Sequence, residues 1–224
     1  MFKSLKLSEL CEKETLMLRQ GSSTRPSLRL TEEAGLRAVV KDFSANRFFY
    51  RNTIGRFLVW REHKAYRRLK GIQGVPELYR VVDGLALVVE WIPGRNLENQ
   101  EKTRILPEAF FDALEALVTR CHERGVAHCD LKRAPNVLLG PGDRPYIVDW
   151  GAAISRSECR IFPLTLIYRR FLKDDFNAVT KLKLRHVPGS VTGEEKRRFE
   201  HRSRAERLVR RLRDRLRELL QKVA

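Results

Sequence analysis

The sequence lacks any uninterrupted apolar run approaching the roughly 18 residues that a membrane-spanning helix needs. Glu9, Glu12 and Glu14 fall among the apolar positions near the start, which does not read as a secretory signal, so a cytoplasmic protein is expected, with a peripheral place at the inner membrane face as the variant reading. The four cysteines, Cys11, Cys121, Cys129 and Cys159, show no C-x-x-C pairing, and Cys121-His122 and His128-Cys129 lack the spacing of a tetrahedral zinc site. Reduced, packing cysteines are expected. Negative charge is also short: 28 acidic residues against 45 basic ones leave a net charge of +17. That imbalance implies attraction to polyanions, whether nucleic acid, anionic lipid head groups or phosphorylated glycolipid.

Much of the excess lies from Lys196 onward, where twelve basic residues face four acidic ones. Leu208, Leu212, Leu216, Leu219 and Val223 form a stripe in this segment, so residues 193–224 read as a basic amphipathic helical tail. A packed helix with a solvated face, an anionic membrane contact and an RNA contact are its three readings. No RNP, zinc-knuckle or helix-turn-helix signature supports nucleic-acid binding as the main role. At 224 residues the chain suits one domain or two small lobes sharing a cleft, and a monomer is the expected state.

Alternating apolar residues predict antiparallel strands at Thr15–Leu18, Leu28–Leu30 and Leu36–Phe43, then at Leu78–Val82 and Leu85–Glu90 around Asp83-Gly84. A helix is predicted from about Ile54 to Leu69, with Glu62 on its apolar side, and another from Pro107, closed by Gly125. This is an α+β pattern: an N-terminal part, residues 1–92, of antiparallel sheet plus one helix, and a mainly helical part, residues 93–192.

The densest chemistry is His128-Cys129-Asp130-Leu131-Lys132 with Asn136, followed by Asp149-Trp150-Gly151. Between them lie an apolar strand, Val137–Leu139, the turn Gly140-Pro141-Gly142-Asp143, and a second strand, Tyr146–Val148. Such a hairpin brings Asn136 and Asp149 to one edge, an amide and a carboxylate placed to share a metal ion, with Asp130 beside them to meet a hydroxyl. The bland alternative is that both aspartates cap turns.

This arrangement resembles the protein-kinase-like superfamily, and among its small bacterial members the RIO-type and lipopolysaccharide core kinases, over roughly residues 15 to 180. Ala38-Val39-Val40-Lys41 resembles the third-strand element whose lysine holds nucleotide phosphates, and Glu62 its helical partner. The resemblance implies a two-lobed fold and ATP with Mg²⁺ as cofactors. It implies that Asp130 accepts the proton of the acceptor hydroxyl, that Lys132 is aimed at the transferred phosphate, and that Asn136 and Asp149 hold the metal. Val89-Glu90-Trp91-Ile92 resembles the segment whose backbone, at Glu90 and Ile92, binds the adenine edge.

Four departures stand out. Gly21-Ser22-Ser23-Thr24 occupies the place of the glycine-rich phosphate loop, so Gly21, Ser22 and Ser23 are the expected phosphate contacts. Cys129 stands where many protein kinases carry an arginine, which argues against control by activation-loop phosphorylation. Asn136 follows Asp130 by one residue more than usual, and Ala134-Pro135 is the expected place for the extra one. No A-P-E motif follows Gly151, so the platform for peptide substrates is short. Asp174-Asp175 resembles the start of the helix that supports the catalytic loop, with a simple helix cap as the alternative reading for Asp175. The expected function is phosphorylation of a protein serine or threonine. A sugar of an anionic glycolipid, the lipopolysaccharide core, is the alternative acceptor, favoured by the aromatic-basic stretch from Phe48 to Trp60. A non-catalytic scaffold is the third reading.

Overall fold

In the computed structural model the described residues are 16–97 and 106–200. The chain opens with β1 (Leu16–Arg19), β2 (Ser27–Glu33) and β3 (Leu36–Asp42), and after a helical run adds β4 (Leu78–Val82) and β5 (Ala86–Glu90). These form one antiparallel sheet in the order β1-β2-β3-β5-β4. All five expected strands are present. Period-two alternation splits β3 between the faces. Ala38 and Val40 pack with Val82, Ala86 and Val88 on one side, while Val39 and Lys41, opposite Val89 and Leu87, face a cleft.

The helical run begins at Phe48 rather than Ile54: α1 (Phe48–Tyr50) passes through a π turn, Arg51–Gly55, into α2 (Arg56–Leu69). Val59, Glu62, Ala65, Tyr66 and Leu69 recur at helical spacing and are buried. Glu62 therefore points inward, where a lone carboxylate would be costly without a partner. Gly74, at φ +99°, lets the chain cross the next helix closely: a Cβ there would lie 2.6 Å from Leu117 Cδ2 and 2.9 Å from the Pro145 carbonyl oxygen.

Beyond the sheet come β6 (Arg95–Asn96), α3 (Glu108–Glu123), β7 (Val126–Ala127), β8 (Val137–Leu139), β9 (Pro145–Ile147), β10 (Ile154–Ser155), α4 (Leu164–His186) and α5 (Gly193–Glu200). Pro107 caps α3 in an extended conformation, and Phe110, Leu114, Leu117, Val118 and Cys121 carry it into the core. The expected hairpin is β8–β9, shifted by one residue so that Val148 lies beyond the strand and donates its amide to the Asn136 carbonyl at 3.0 Å.

One expectation needs correction. The helix expected to begin near Asp174 begins at Leu164, so Asp174 and Asp175 sit inside α4 and Asp175 is no cap. The start of the 193–224 segment, α5, packs on the body, in keeping with the packed-helix reading: buried Lys183 lies 3.4 Å from Glu195, 3.6 Å from Asp112 and 3.7 Å from Glu108. The leucine stripe from Leu208 to Val223 lies outside the described residues, as does Cys11. No described helix is long and apolar enough to cross a membrane.

Candidate active site

Lys41 is the centre of the site. Its Nζ lies 2.7 Å from Glu62 Oε2 and 2.6 Å from Asp149 Oδ1, joining β3, α2 and the turn after β9. Burial works against the ammonium, but Glu62 and then Asp149 outweigh it and hold the Lys41 pKa above its ordinary value. Burial raises Glu62, and Asp149 adds to that, while Lys41 pulls it back. Burial also acts to raise the half-exposed Asp149, yet Lys41 prevails through charge and hydrogen bond and holds that carboxyl below its ordinary range. Asp149 adopts the left-handed conformation, φ 64°, which an aspartate tolerates better than most residues.

The loop from His128 to Asn136 is braced from both sides. Asp175, 2% exposed, accepts the His128 amide at 2.7 Å on Oδ2 and the Cys129 amide at 3.0 Å on Oδ1. His122 Nε2 lies 3.0 Å from the same Oδ2. His128 is fixed as the neutral Nε2–H form, since Nδ1 accepts the Asp130 amide at 3.2 Å and Nε2 donates to the Val148 carbonyl at 3.0 Å. Its ring meets that of buried Trp150 at 4.6 Å, edge on. Burial lowers the His128 pKa from its ordinary 6.5. A depressed folded value means that the neutral ring's contribution to stability is complete above about pH 6.5 and is lost as pH falls through the folded value. Urea midpoints should therefore fall between about pH 7.5 and pH 5.5, and His128→Asn should flatten that part of the profile.

The extra residue before Asn136 is taken up where expected, in a 3₁₀ turn over Ala134–Asn136. The turn delivers Asn136 Nδ2 to the Asp130 carbonyl at 3.0 Å and to Asp130 Oδ2 at 3.5 Å. Arg133 Nε stands 3.4 Å from that same Oδ2. Burial pushes the thiols of Cys121 and Cys129 up to about 12, so they are protonated and inert at neutral pH.

An apolar cleft of about 350 Å³ opens between the sheet and the β8–β9 hairpin, walled by Leu28, Val39, Val89 and Leu138 and ending at Lys41 and Asp149. Its dimensions and apolar walls suit a purine, and its charged end suits phosphates. Of the linker amides, Glu90 donates to Glu77 O at 2.8 Å and Trp91 to Arg37 O at 3.1 Å. Glu90 therefore has no free amide to offer, and the Ile92 amide has no backbone partner among the described residues. A larger groove, about 870 Å³, lies behind α2 against β4 but contains neither Lys41 nor any of the aspartates.

Not every expected residue converges here. Among the described residues, the cleft and the vestibule before Asp130 are lined by Arg19, Thr24 and Arg25, not by Gly21, Ser22 or Ser23. The Ser22 amide is taken by Arg25 O at 3.0 Å in a tight turn. Lys132 is exposed and turned 3.9 Å from Asp174 Oδ2 on α4. Sequence reasoning missed Arg133, Arg61 and Tyr66; Tyr66, one helical turn after Glu62, carried a signal that could have been read.

Asp149 and Asn136 offer oxygen ligands, which fits Mg²⁺ rather than a soft metal. A five-stranded antiparallel sheet carrying a lysine–glutamate pair, set over a helical part with a braced aspartate loop, defines an atypical kinase-like, ATP-dependent phosphotransferase. The RIO domain family model matches residues 37–188, more than half of the chain, and the chain belongs to that family. The matched span contains Lys41, Glu62, Asp130, Asn136 and Asp149 and excludes the serine loop. No curated protein matches the sequence.

Proposed function

We propose that the protein phosphorylates serine or threonine hydroxyls of a protein acceptor, with ATP as donor and Mg²⁺ as the metal. The observation that carries this reading is the contact of Lys41 Nζ with both Glu62 and Asp149, at 2.7 and 2.6 Å, at the end of an apolar cleft. Lys41, pinned by Glu62, meets the phosphates; the cleft walls and the Ile92 amide hold the purine. Asn136 and Asp149 would hold Mg²⁺, which offsets charge on the β- and γ-phosphates when bound. Asp130 accepts the proton of the attacking hydroxyl on its carboxylate, while Arg133 and Asn136, both directed at Oδ2, fix its orientation. The described parts of residues 1–92 and 93–192 act as the two lobes about the linker at Trp91.

A sugar hydroxyl of an anionic glycolipid is the second reading, supported by the exposed Phe48, Phe49, Phe57 and Trp60 beside several arginines. The two are separated by offering labelled ATP with Mg²⁺ to a protein extract and to dephosphorylated lipopolysaccharide. Phosphoserine or phosphothreonine in the protein fraction is expected, and label confined to the glycolipid would overturn the first reading.

A further inference from the structure

Two apolar patches lie exposed outside the cleft. One follows the helical run through α1 and α2, where Phe48, Phe49, Phe57 and Trp60 are all at least half exposed and Phe49 reaches 82%. The other precedes and opens α4, with Ile161, Phe162, Leu164, Leu166 and Ile167 exposed and Phe162 at 77%. Single exposed apolar residues are ordinary, but two runs of this density on one small protein mark a contact surface.

A bridge at α2 links the two segments. The Phe57 and Trp60 rings meet at 5.9 Å, Lys64 Nζ lies 5.2 Å over the Trp60 ring, and Lys64 bonds Glu158 at 2.9 Å, three residues before Ile161. Arg61, on the same helix, donates to the Ala153 carbonyl at 2.8 Å. The vestibule before Asp130 opens between these elements, with Leu58 and Arg61 on one side and Ile154 and Phe171 on the other. The helices α2 and α4, which carry exposed patch residues, thus also wall the vestibule of the reacting carboxylate.

Charge selects the occupant. Residues 43–61 contain four arginines and no acidic residue, and residues 159–173 contain three arginines, one lysine and again no acidic residue. A second copy of a chain with net charge +17 would be repelled, and so would the chain's own basic end, with twelve basic residues against four acidic ones from Lys196. Nucleic acid satisfies arginine and can stack on aromatic rings, but offers no apolar phase to Ile161, Leu164, Leu166 and Ile167. An anionic bilayer satisfies both needs: head groups take the arginines, and the acyl boundary takes the aromatic and aliphatic side chains. We propose that this joined face docks on an anionic lipid bilayer and turns the Asp130 vestibule toward the membrane surface. The proposal goes beyond the choice of acceptor, since a protein or a lipid can present a hydroxyl there.

The test uses the full chain and vesicles of phosphatidylglycerol with phosphatidylethanolamine, against phosphatidylcholine alone. The basic end can hold anionic vesicles by charge, so the patch needs its own readout. The chain should float with the anionic vesicles, and brominated acyl chains should quench its tryptophan emission, an effect removed by Trp60→Phe. Phe49→Ser combined with Phe162→Ser should weaken vesicle binding at least about tenfold and reduce quenching, with unchanged ATP binding as the control for folding. Equal binding by that variant, or no quenching in the unmutated chain, would overturn the proposal. So would a dimer in solution that the paired variant converts to monomer, since the face would then belong to a second copy.

Discussion

Asp130→Asn should lower the rate of phosphoryl transfer to the acceptor hydroxyl by about 10² to 10⁴ while leaving nucleotide affinity in place. The substitution keeps the size of the side chain but removes its ability to accept a proton. Asp130 lines the vestibule and not the purine cleft, so a nucleotide seated against Val39 and Val89 should bind as before. Lys41→Met should behave differently, because it removes the cation from the end of the cleft and leaves Glu62, 2% exposed, without its partner. Single-turnover transfer of labelled phosphate, set beside binding of a fluorescent ATP analogue, separates the two effects. A transfer rate unchanged in Asp130→Asn would remove this residue from the reaction.

The residues that converge were legible because each sits where a simple period or turn controls direction. Lys41 follows Val39 by two on a strand, so both face the cleft, and Glu62 lies on the buried stripe of α2. The Gly140–Asp143 turn between two short apolar strands sets the Asn136 backbone against Val148, the residue before Asp149. What could not be read depended on side-chain direction or on which backbone groups were already spent. Lys132 is the right type of residue near Asp130, yet its chain leads toward Asp174. The Ser22 amide and the Glu90 amide are consumed by carbonyls of Arg25 and Glu77, which no residue identity reveals. The start of α4 was hidden because Leu164, Leu166 and Ile167 are exposed, so the apolar residues there do not mark a buried stripe. The same exposure that obscured the helix is what the membrane face requires.

Asp175→Ala should cost about 3–5 kcal/mol of folding stability and most of the activity, although the residue touches neither cleft nor vestibule. Both carboxylate oxygens are used: Oδ2 holds the His128 amide at 2.7 Å and His122 at 3.0 Å, and Oδ1 holds the Cys129 amide at 3.0 Å. Truncation leaves two amides unpaired, each costing roughly 1–3 kcal/mol when buried. Cys129, at φ 70°, is in a conformation a side chain rarely adopts, and the bond from its amide helps to hold it there. Asp175→Asn keeps the shape but presents an N–H₂ group either to the Cys129 amide or to the His128 amide and the His122 ring, so it should retain part of the stability and still displace Asp130. Urea denaturation measures the first effect, and transfer rates at temperatures where the variant is fully folded measure the second. A residue that merely capped a helix would cost about 0.5–2 kcal/mol and leave the transfer rate alone, and that outcome would show that the loop holds its shape without α4.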